Sequence, residues 1–345
     1  MDIHQFEYRA ERGSGARPVP QPLDDLHKAS PQGAVPRLVA CVDDTDHAEA
    51  VSAQAAAIAC SLGLQVTFAR VIDSPRHFAS PADPVEWQMR RRLQRDNLHR
   101  FATRDQPETL AESVLLAGAP VEELSEWSRE NGATLLALGR RGSNNGKGLG
   151  ATAQGLLDRA EHSLLLVPPG PPRTGGYRRI MVPIDGSAQG DSVLPIARRI
   201  ARTHAADLVL VHVVPRLEVV GAGRAPQVEN LAMQIDGHNR RNARQHLDNL
   251  RSRCVDDGVN VSIVTRGPGD PRATLRDLAA EENADLIVMS SHGNTGLADV
   301  ACGSVTEYLA GHAPVPVLIV RPNIQCSFGP EPASCRNVSA FRFAG

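Results

Sequence analysis

Aromatic residues are scarce. Trp, Tyr and Phe together make up 3% of the 345 residues, against 41% for hydrophobic residues as a whole, so any core has to be built mainly from Ala, Val, Leu and Ile. Lysine is almost missing, at positions 28 and 147 only, and the remaining cations are scattered arginines, which we read as genome composition. The formal net charge is -2, which argues against a polyanion-binding surface as the main business and so against nucleic acid as a partner. None of the six cysteines, at 41, 60, 254, 302, 326 and 335, stands in a C-x-x-C pair. Cys41 and Cys60 lie in apolar runs and read as small hydrophobes. Cys326 and Cys335 read as reduced thiols in a mobile tail rather than a metal or redox pair. The N-terminus has neither a cationic n-region nor an apolar h-region, and no apolar run reaches the roughly 18 residues needed to span a bilayer. The expectation is a soluble, cytoplasmic protein without a membrane partner.

From residue 36 onward, short apolar runs alternate with amphipathic stretches, the pattern of a parallel sheet with crossover helices. In the first half the predicted strands are "RLVACV", "QVTFARVI", "SVLLAG", "ATLLALG" and "SLLLV", with helices between them, including a long polar one over 84–104. The second half repeats the order with "RRIMVPI", "DLVLVHVV", "VNVSIVT", "ADLIVMS" and "PVLIV". One helix is expected over "GDSVLPIARRIARTH" and a long one over 228–253. The stretches 149–167 and 302–320 align without a gap. A fused duplication explains this better than one large sheet. The predicted divisions are a tail over 1–35, a first domain over 36–168, a linker over 169–177 rich in Pro and Gly, a second domain over 178–321 and a tail over 322–345.

Open parallel sheets bind ligands beyond the carboxyl ends of their strands, where strand order reverses. In the second half, strand one leaves through "VPIDGS", placing Asp185 before Gly186 and Ser187, and strand four leaves through Ser290, Ser291, His292 and Gly293 towards Gly303 and Ser304. Small residues let a ligand approach the backbone closely, and the N–H groups of a helix N-terminus favour anions. A phosphate therefore fits at 303–305, and Asp185 can accept from a sugar hydroxyl or hold a divalent ion. The simpler account of Asp185 alone is a helix N-cap. Its coincidence with the strand-four loop favours the ligand.

These segments resemble the signature regions of the universal stress protein family. That family's nucleotide loop runs Gly, two residues, Gly, nine residues, Gly, then Ser or Thr. Here Ser290, Gly293, Gly303 and Ser304 fit the spacing, with Ser290 replacing the first Gly. The resemblance covers roughly 36–321 as a tandem pair. It implies two Rossmann-like α/β domains, of the adenine nucleotide alpha hydrolase-like kind. Each would hold a five-stranded parallel sheet of order 3-2-1-4-5 with helices on both faces. It also implies ATP, with Mg²⁺, as the ligand. Pro183, Ile184, Asp185 and Val213 would line the adenosine pocket beside Met289, and Gly293, Gly303, Ser304 and Val305 would hold the phosphates. His292 falls where some relatives carry Arg, and an unperturbed His is mostly neutral at pH 7. The first half offers Val42, Asp43, Val71, Gly139, Arg141, Gly142 and Gly150 at matching places. There only seven residues separate Gly142 from Gly150, and Ala151 replaces the Ser. Arg140, Arg141 and Lys147 offer compensating charge.

"GSNNGKG" (142–148) is not a Walker A loop, because the spacing is one short and Gly148 stands where Ser or Thr should be. No Ser/His/Asp set and no H-E-x-x-H supports catalysis. Three functions follow: an ATP-responsive stress or regulatory module read by an unidentified protein partner, a weak ATPase or self-phosphorylating enzyme using Ser304, and a nucleotide-free scaffold. Family dimers pair through their last strands, so "SLLLV" and "PVLIV" are expected to join the domains as an internal pseudo-dimer, itself open to forming a homodimer, and to cover two sheet edges.

Overall fold

The computed structural model describes residues 36–72, 83–104, 112–140, 148–172, 175–216, 226–255, 258–293, 302–322 and 324. Its first domain runs β1 (Arg37–Cys41), α1 (His47–Leu62), β2 (Gln65–Ile72), α2 (Pro84–Thr103), β3 (Glu112–Ala117), α3 (Pro120–Glu130), β4 (Ala133–Gly139), α4 (Ala151–Arg159) and β5 (Ser163–Val167). The second runs β6 (Arg179–Pro183), α5 (Ala188–Asp191), α6 (Leu194–His204), β7 (Asp207–Pro215), α7 (Pro226–Val255), β8 (Val261–Gly269), α8 (Pro271–Glu281), β9 (Leu286–Ser290), α9 (Ser304–His312) and β10 (Val317–Val320). The tail over 1–35 and most of the C-terminal tail lie outside the described residues.

The helix boundaries follow local chemistry. The Asp83 side chain accepts from Val85 N and Asp270 from Arg272 N, each just before a proline that starts its helix. Proline suits that first turn because its missing N–H would find no intrahelical acceptor there. Gly63 ends α1 in the left-handed region, at φ 64°. The single helix expected over 190–204 is instead two, α5 and α6. Pro195 is the reason: it has no N–H to close a bond to the Asp191 carbonyl four residues back, and its ring crowds that carbonyl.

Strand order is β3-β2-β1-β4-β5-β10-β9-β6-β7-β8. Each half therefore has the order 3-2-1-4-5 and is parallel throughout, and the halves meet where β5 and β10 pair antiparallel, Leu164 opposite Ile319 and Leu166 opposite Val317. Duplication and one large sheet are thus not alternatives: two duplicated sheets are fused edge to edge into a single sheet of ten strands. The pairing buries the two edges that "SLLLV" and "VLIV" would otherwise present as templates for aggregation, and both strands are buried throughout.

Two apolar layers sandwich the sheet. One packs α1, α2, α6 and α7 and runs across both domains, from Leu38 and Ile58 to Ile180 and Ile200. The other packs α3, α4, α8 and α9. Across the seam α1 meets α6, and a polar knot pins the contact. Tyr177 Oη donates to Gln54 Oε1 at 2.6 Å, and Arg199 Nε donates to Ser61 O at 2.9 Å. Tyr177, expected as the last linker residue, is buried in the shared core. Cys60 is also more than a packed hydrophobe: it is disulfide-bonded. Cys41, Cys254 and Cys302 are free thiols.

Candidate functional site

In both domains the strand order reverses between the first and fourth strands, β1 beside β4 and β6 beside β9. The first strand of each pair hands the chain to an aspartate. Asp43 Oδ1 accepts from the Thr45 N–H at 2.9 Å and from its hydroxyl at 2.5 Å. Asp185 Oδ1 accepts from the Ser187 N–H at 3.0 Å and its hydroxyl at 2.6 Å. Neither is a helix cap. The cap of α5 is Ser187, whose Oγ accepts from Gly190 N at 2.9 Å. Asp185 instead faces the reversal point: a Cβ placed on Gly293 would lie 2.3 Å from its Oδ2. A side chain at 293 would have to push that carboxylate aside.

Across the cleft stands the N-terminus of α9. Its N-cap is Gly303, which has no side chain to satisfy the first-turn amides. Thr306 Oγ1 donates to Ser290 O at 3.0 Å, and the Ser290 hydroxyl donates to His292 O. The helix start is thereby fastened to the end of β9. One expected ligand group is already used: the Gly303 N–H donates to Ser291 O at 2.8 Å. A phosphate would have to be met by the Ser304, Val305 and Thr306 amides, the first-turn donors that an α-helix leaves without an intrahelical acceptor. Ser304 is exposed at the first helical position. Pro183, at the end of β6, is half-buried, while Ile184, Val213 and Met289 are buried. The residues between Gly293 and Cys302 lie outside the described ones.

The first domain has the same plan and an open cavity of about 410 Å³. The sequence-predicted Val42, Asp43, Val71, Gly139 and Gly150 all line it, together with Ala151, Thr152 and Ala153 from the start of α4. Gly150 is the N-cap, again without a side-chain cap. Arg141, Gly142 and Lys147 lie outside the described residues. Two lining residues escape the sequence reading. Cys41 forms part of the wall, and burial pushes its thiol up to about 12. His47, the first residue of α1, places Nε2 3.1 Å from Val167 O. Its ring packs so closely on Gly139 that a Cβ there would lie 2.3 Å from His47 Cδ2. A polar residue one turn after a site aspartate is the signal that could have found it.

The second strands brace the aspartate turns from behind. In the first domain the buried Arg70 donates to Asp43 O at 2.9 Å, to Gln94 Oε1 at 2.8 Å and to the Asp44 carboxylate. In the second, His212 Nδ1 lies 2.8 Å from Ile184 O. Burial holds the His212 imidazole below its ordinary pKa, against the opposing pull of that hydrogen bond and of Asp185. On α7, His246 Nε2 stands 3.0 Å from Asp191 Oδ1.

A ten-stranded α/β sheet of two fused 3-2-1-4-5 halves, each with an aspartate leaving its first strand and a helix that starts at a glycine, defines a tandem α/β architecture. The family model described as the universal stress protein family matches residues 35–168 and 176–321, and the chain belongs to that family. It is 27% identical over 155 residues to a universal stress protein of Methanocaldococcus jannaschii, covering 42% of this chain and 95% of that one. Over 150 residues it is 27% identical to the universal stress protein YxiE of Bacillus subtilis, covering 42% of this chain and 99% of the relative. Each relative thus spans about one repeat. Among solved structures, a universal stress protein from Archaeoglobus fulgidus aligns over 83% of this chain and 98% of its own, with a TM-score of 0.55 and 17% identity. A Pseudomonas aeruginosa protein aligns with a TM-score of 0.56, over 84% of this chain and 94% of its own, at 16% identity. At those identities the likeness speaks to fold alone. No helix among the described residues is long and apolar enough to cross a membrane.

Proposed function

We propose that this protein is a regulatory module of the stress response that binds ATP at the reversal-point cleft and signals through the resulting change in the loop between β9 and α9. The observation that carries the reading is a repeated one. In both domains an aspartate leaving the first strand is paired with a helix that begins at a glycine with no side-chain cap, Asp43 with Gly150 and Asp185 with Gly303. The aspartate is the natural acceptor for ribose hydroxyls, and the uncapped amides are the natural donors to phosphate oxygens. The cavity beside Asp43 gives the first domain room for the same kind of ligand.

Mg²⁺ fits as a companion of the nucleotide. No group of three or more His, Cys, Asp or Glu side chains is placed to hold a metal among the described residues. Mg²⁺ characteristically takes one or two protein carboxylates and completes its shell with phosphate and water. Asp185 and Asp43 can each supply one. When bound, Mg²⁺ would neutralise phosphate charge. The chain's own part is to orient the nucleotide through Asp185 and the α9 amides, with Ser304 at the phosphate end.

The test is calorimetric titration of the full chain with ATP in the presence of Mg²⁺, together with analysis of any nucleotide that copurifies. Saturable binding that Gly303→Trp weakens supports the reading. Absence of heat and of a thermal shift at millimolar ATP would leave the scaffold reading instead.

A further inference from the structure

We propose that each domain's cradle is positioned by an arginine of the other domain, so that the two sites are coupled through helices α4 and α9; the coupling rests on the nucleotide reading above. Both helices are nine residues long, which at 1.5 Å per residue is about 13 Å of rigid rod. Each has one end at a cradle and the other at the seam.

The start of α4 lines the first-domain cavity. Its far end is held by Arg321, the residue that follows β10 of the second domain. Arg321 Nη2 donates to Leu157 O and Nε to His162 O, both at 3.0 Å, while the Arg321 backbone N–H donates to Ser163 Oγ at 3.0 Å. The start of α9 forms the phosphate end of the second cradle. Its far end is held by Arg140, the residue that follows β4 of the first domain. Arg140 Nη1 donates to Ala310 O at 3.4 Å, and the neighbouring Gly148 N–H donates to Gly311 O at 3.0 Å. Backbones meet there without side chains between them: a Cβ on Gly311 would sit 3.5 Å from Gly148 Cα.

Both arginines are buried, at 6% exposure for Arg140 and 4% for Arg321. A guanidinium is seldom buried without specific partners. Here it meets the carbonyl end of a helix, where the negative end of the helix dipole stabilises a cation. The Arg140 cap also abuts the first cradle's own elements. Arg140 directly follows Gly139, and Gly148 precedes Gly150 by two residues; both glycines line the first-domain cavity. A ligand that shifts this segment moves the support of α9. By thermodynamic linkage, a ligand that moves α9 acts back on the first cavity with equal strength. Neither arginine touches the ligand, so both are positioning residues.

The experiment reads one cradle at a time in the full chain. With the second cradle blocked by Gly303→Trp, ATP affinity with Mg²⁺ reports the first. Adding Arg321→Gln is expected to weaken it at least about fivefold, the lower end of ordinary coupling, and Arg321→Lys is expected to restore part of the loss. With the first cradle blocked by Gly150→Trp, Arg140→Gln and Arg140→Lys are expected to do the same at the second. Amide hydrogen exchange without nucleotide is the independent readout: Arg140→Gln should speed exchange over 308–313 while β9 keeps its protection. Unchanged affinity together with unchanged exchange in α9 overturns the proposal. If neither blocked parent binds ATP, the nucleotide reading fails, and the exchange result on Arg140→Gln still decides whether the first domain positions α9.

Discussion

Ser61 Oγ of α1 and His204 Nε2 of α6 lie 3.0 Å apart across the seam between the domains. The Ser61 hydroxyl already donates to Ala57 O at 2.9 Å, so it must accept from His204, which fixes the Nε2–H tautomer. The Nδ1 lone pair then faces the chain at Gly176, where a Cβ would come within 2.4 Å of it. Tyr177 meets the same ring edge-on, with centroids 5.1 Å apart. Burial, the largest cause, holds the His204 pKa below its ordinary value.

Stability should therefore fall on mild acidification. The folded state holds His204 below the ordinary imidazole value of about 6.5, so the unfolded chain takes up the proton first. The contribution is fully present above about pH 6.5 and is lost as pH drops towards the folded value. His162 and His212 are shifted down for the same first cause and add in the same direction. The thermal midpoint should be lower at pH 5.5 than at pH 7.5, and His204→Gln should make the difference smaller. A variant with the wild-type pH dependence would show that the seam histidine is not a source of the slope.

Tyr177→Phe tests the knot itself. It deletes the hydroxyl 2.6 Å from Gln54 Oε1 and leaves that oxygen in a site where both residues are almost fully buried. An orphaned buried polar group costs about 1–3 kcal/mol. Denaturant unfolding should show a loss of that size, and Tyr177→Phe combined with Gln54→Leu should be less damaging than the sum of the single changes.

Most of the fold can be read from the sequence because the central strands are buried on both faces. Runs such as "SLLLV" and "ATLLALG" then have no polar alternation to confuse them, and the repeat doubles each signal. The break at Ser192 and Val193 was carried by Pro195, but the amphipathic pattern on either side hid it. The site is less legible. Asp43, Gly139, Gly150, Asp185 and Gly303 stand out because spacing places them at strand exits and helix starts. That the Gly303 amide is consumed by Ser291 O depends on how β9 turns, which no pattern encodes. Arg140 and Arg321 follow strands directly; Arg140, expected from the sequence to offer charge to a phosphate, is instead buried and donates to Ala310 O of the second domain. Their burial becomes apparent only once β5 and β10 bring α4 and α9 against the opposite domain. The disulfide at Cys60 is invisible for a similar reason, since chain distance says nothing about which thiols meet.

Gly155 should resist even alanine. It sits inside α4, where alanine would ordinarily gain about 1 kcal/mol over glycine. A Cβ there would lie 2.7 Å from Val121 Cγ2 of α3, and valine's branched side chain has few rotamers in which to withdraw. Gly155→Ala is expected to lower the unfolding midpoint despite the better helix former, and Val121→Ala in the same chain is expected to recover much of it. A stabilised Gly155→Ala would mean that α3 and α4 are free to move apart.

The sharpest test of the cleft contrasts two glycines a few ångströms apart in their demands. Any side chain at Gly293 would collide with the Asp185 carboxylate at 2.3 Å, whereas a Cβ at Gly303 meets nothing closer than Ser291 O at 3.6 Å. Gly293→Ala should therefore damage the cleft in the absence of any ligand and lower the unfolding midpoint by itself. Gly303→Trp should leave the free protein near its wild-type midpoint and place its indole where a phosphate would sit. A ligand present at 100 times its dissociation constant raises stability by about 2.7 kcal/mol, so wild-type protein with ATP and Mg²⁺ should melt measurably higher than without. Gly303→Trp should lose the part of that shift, and of the calorimetric stoichiometry, that belongs to the second domain. Gly150→Trp should remove any part that belongs to the first. If ATP still raises the midpoint of Gly303→Trp and Gly150→Trp combined, the nucleotide lies elsewhere, because no route to the α4 or α9 amides would then remain open.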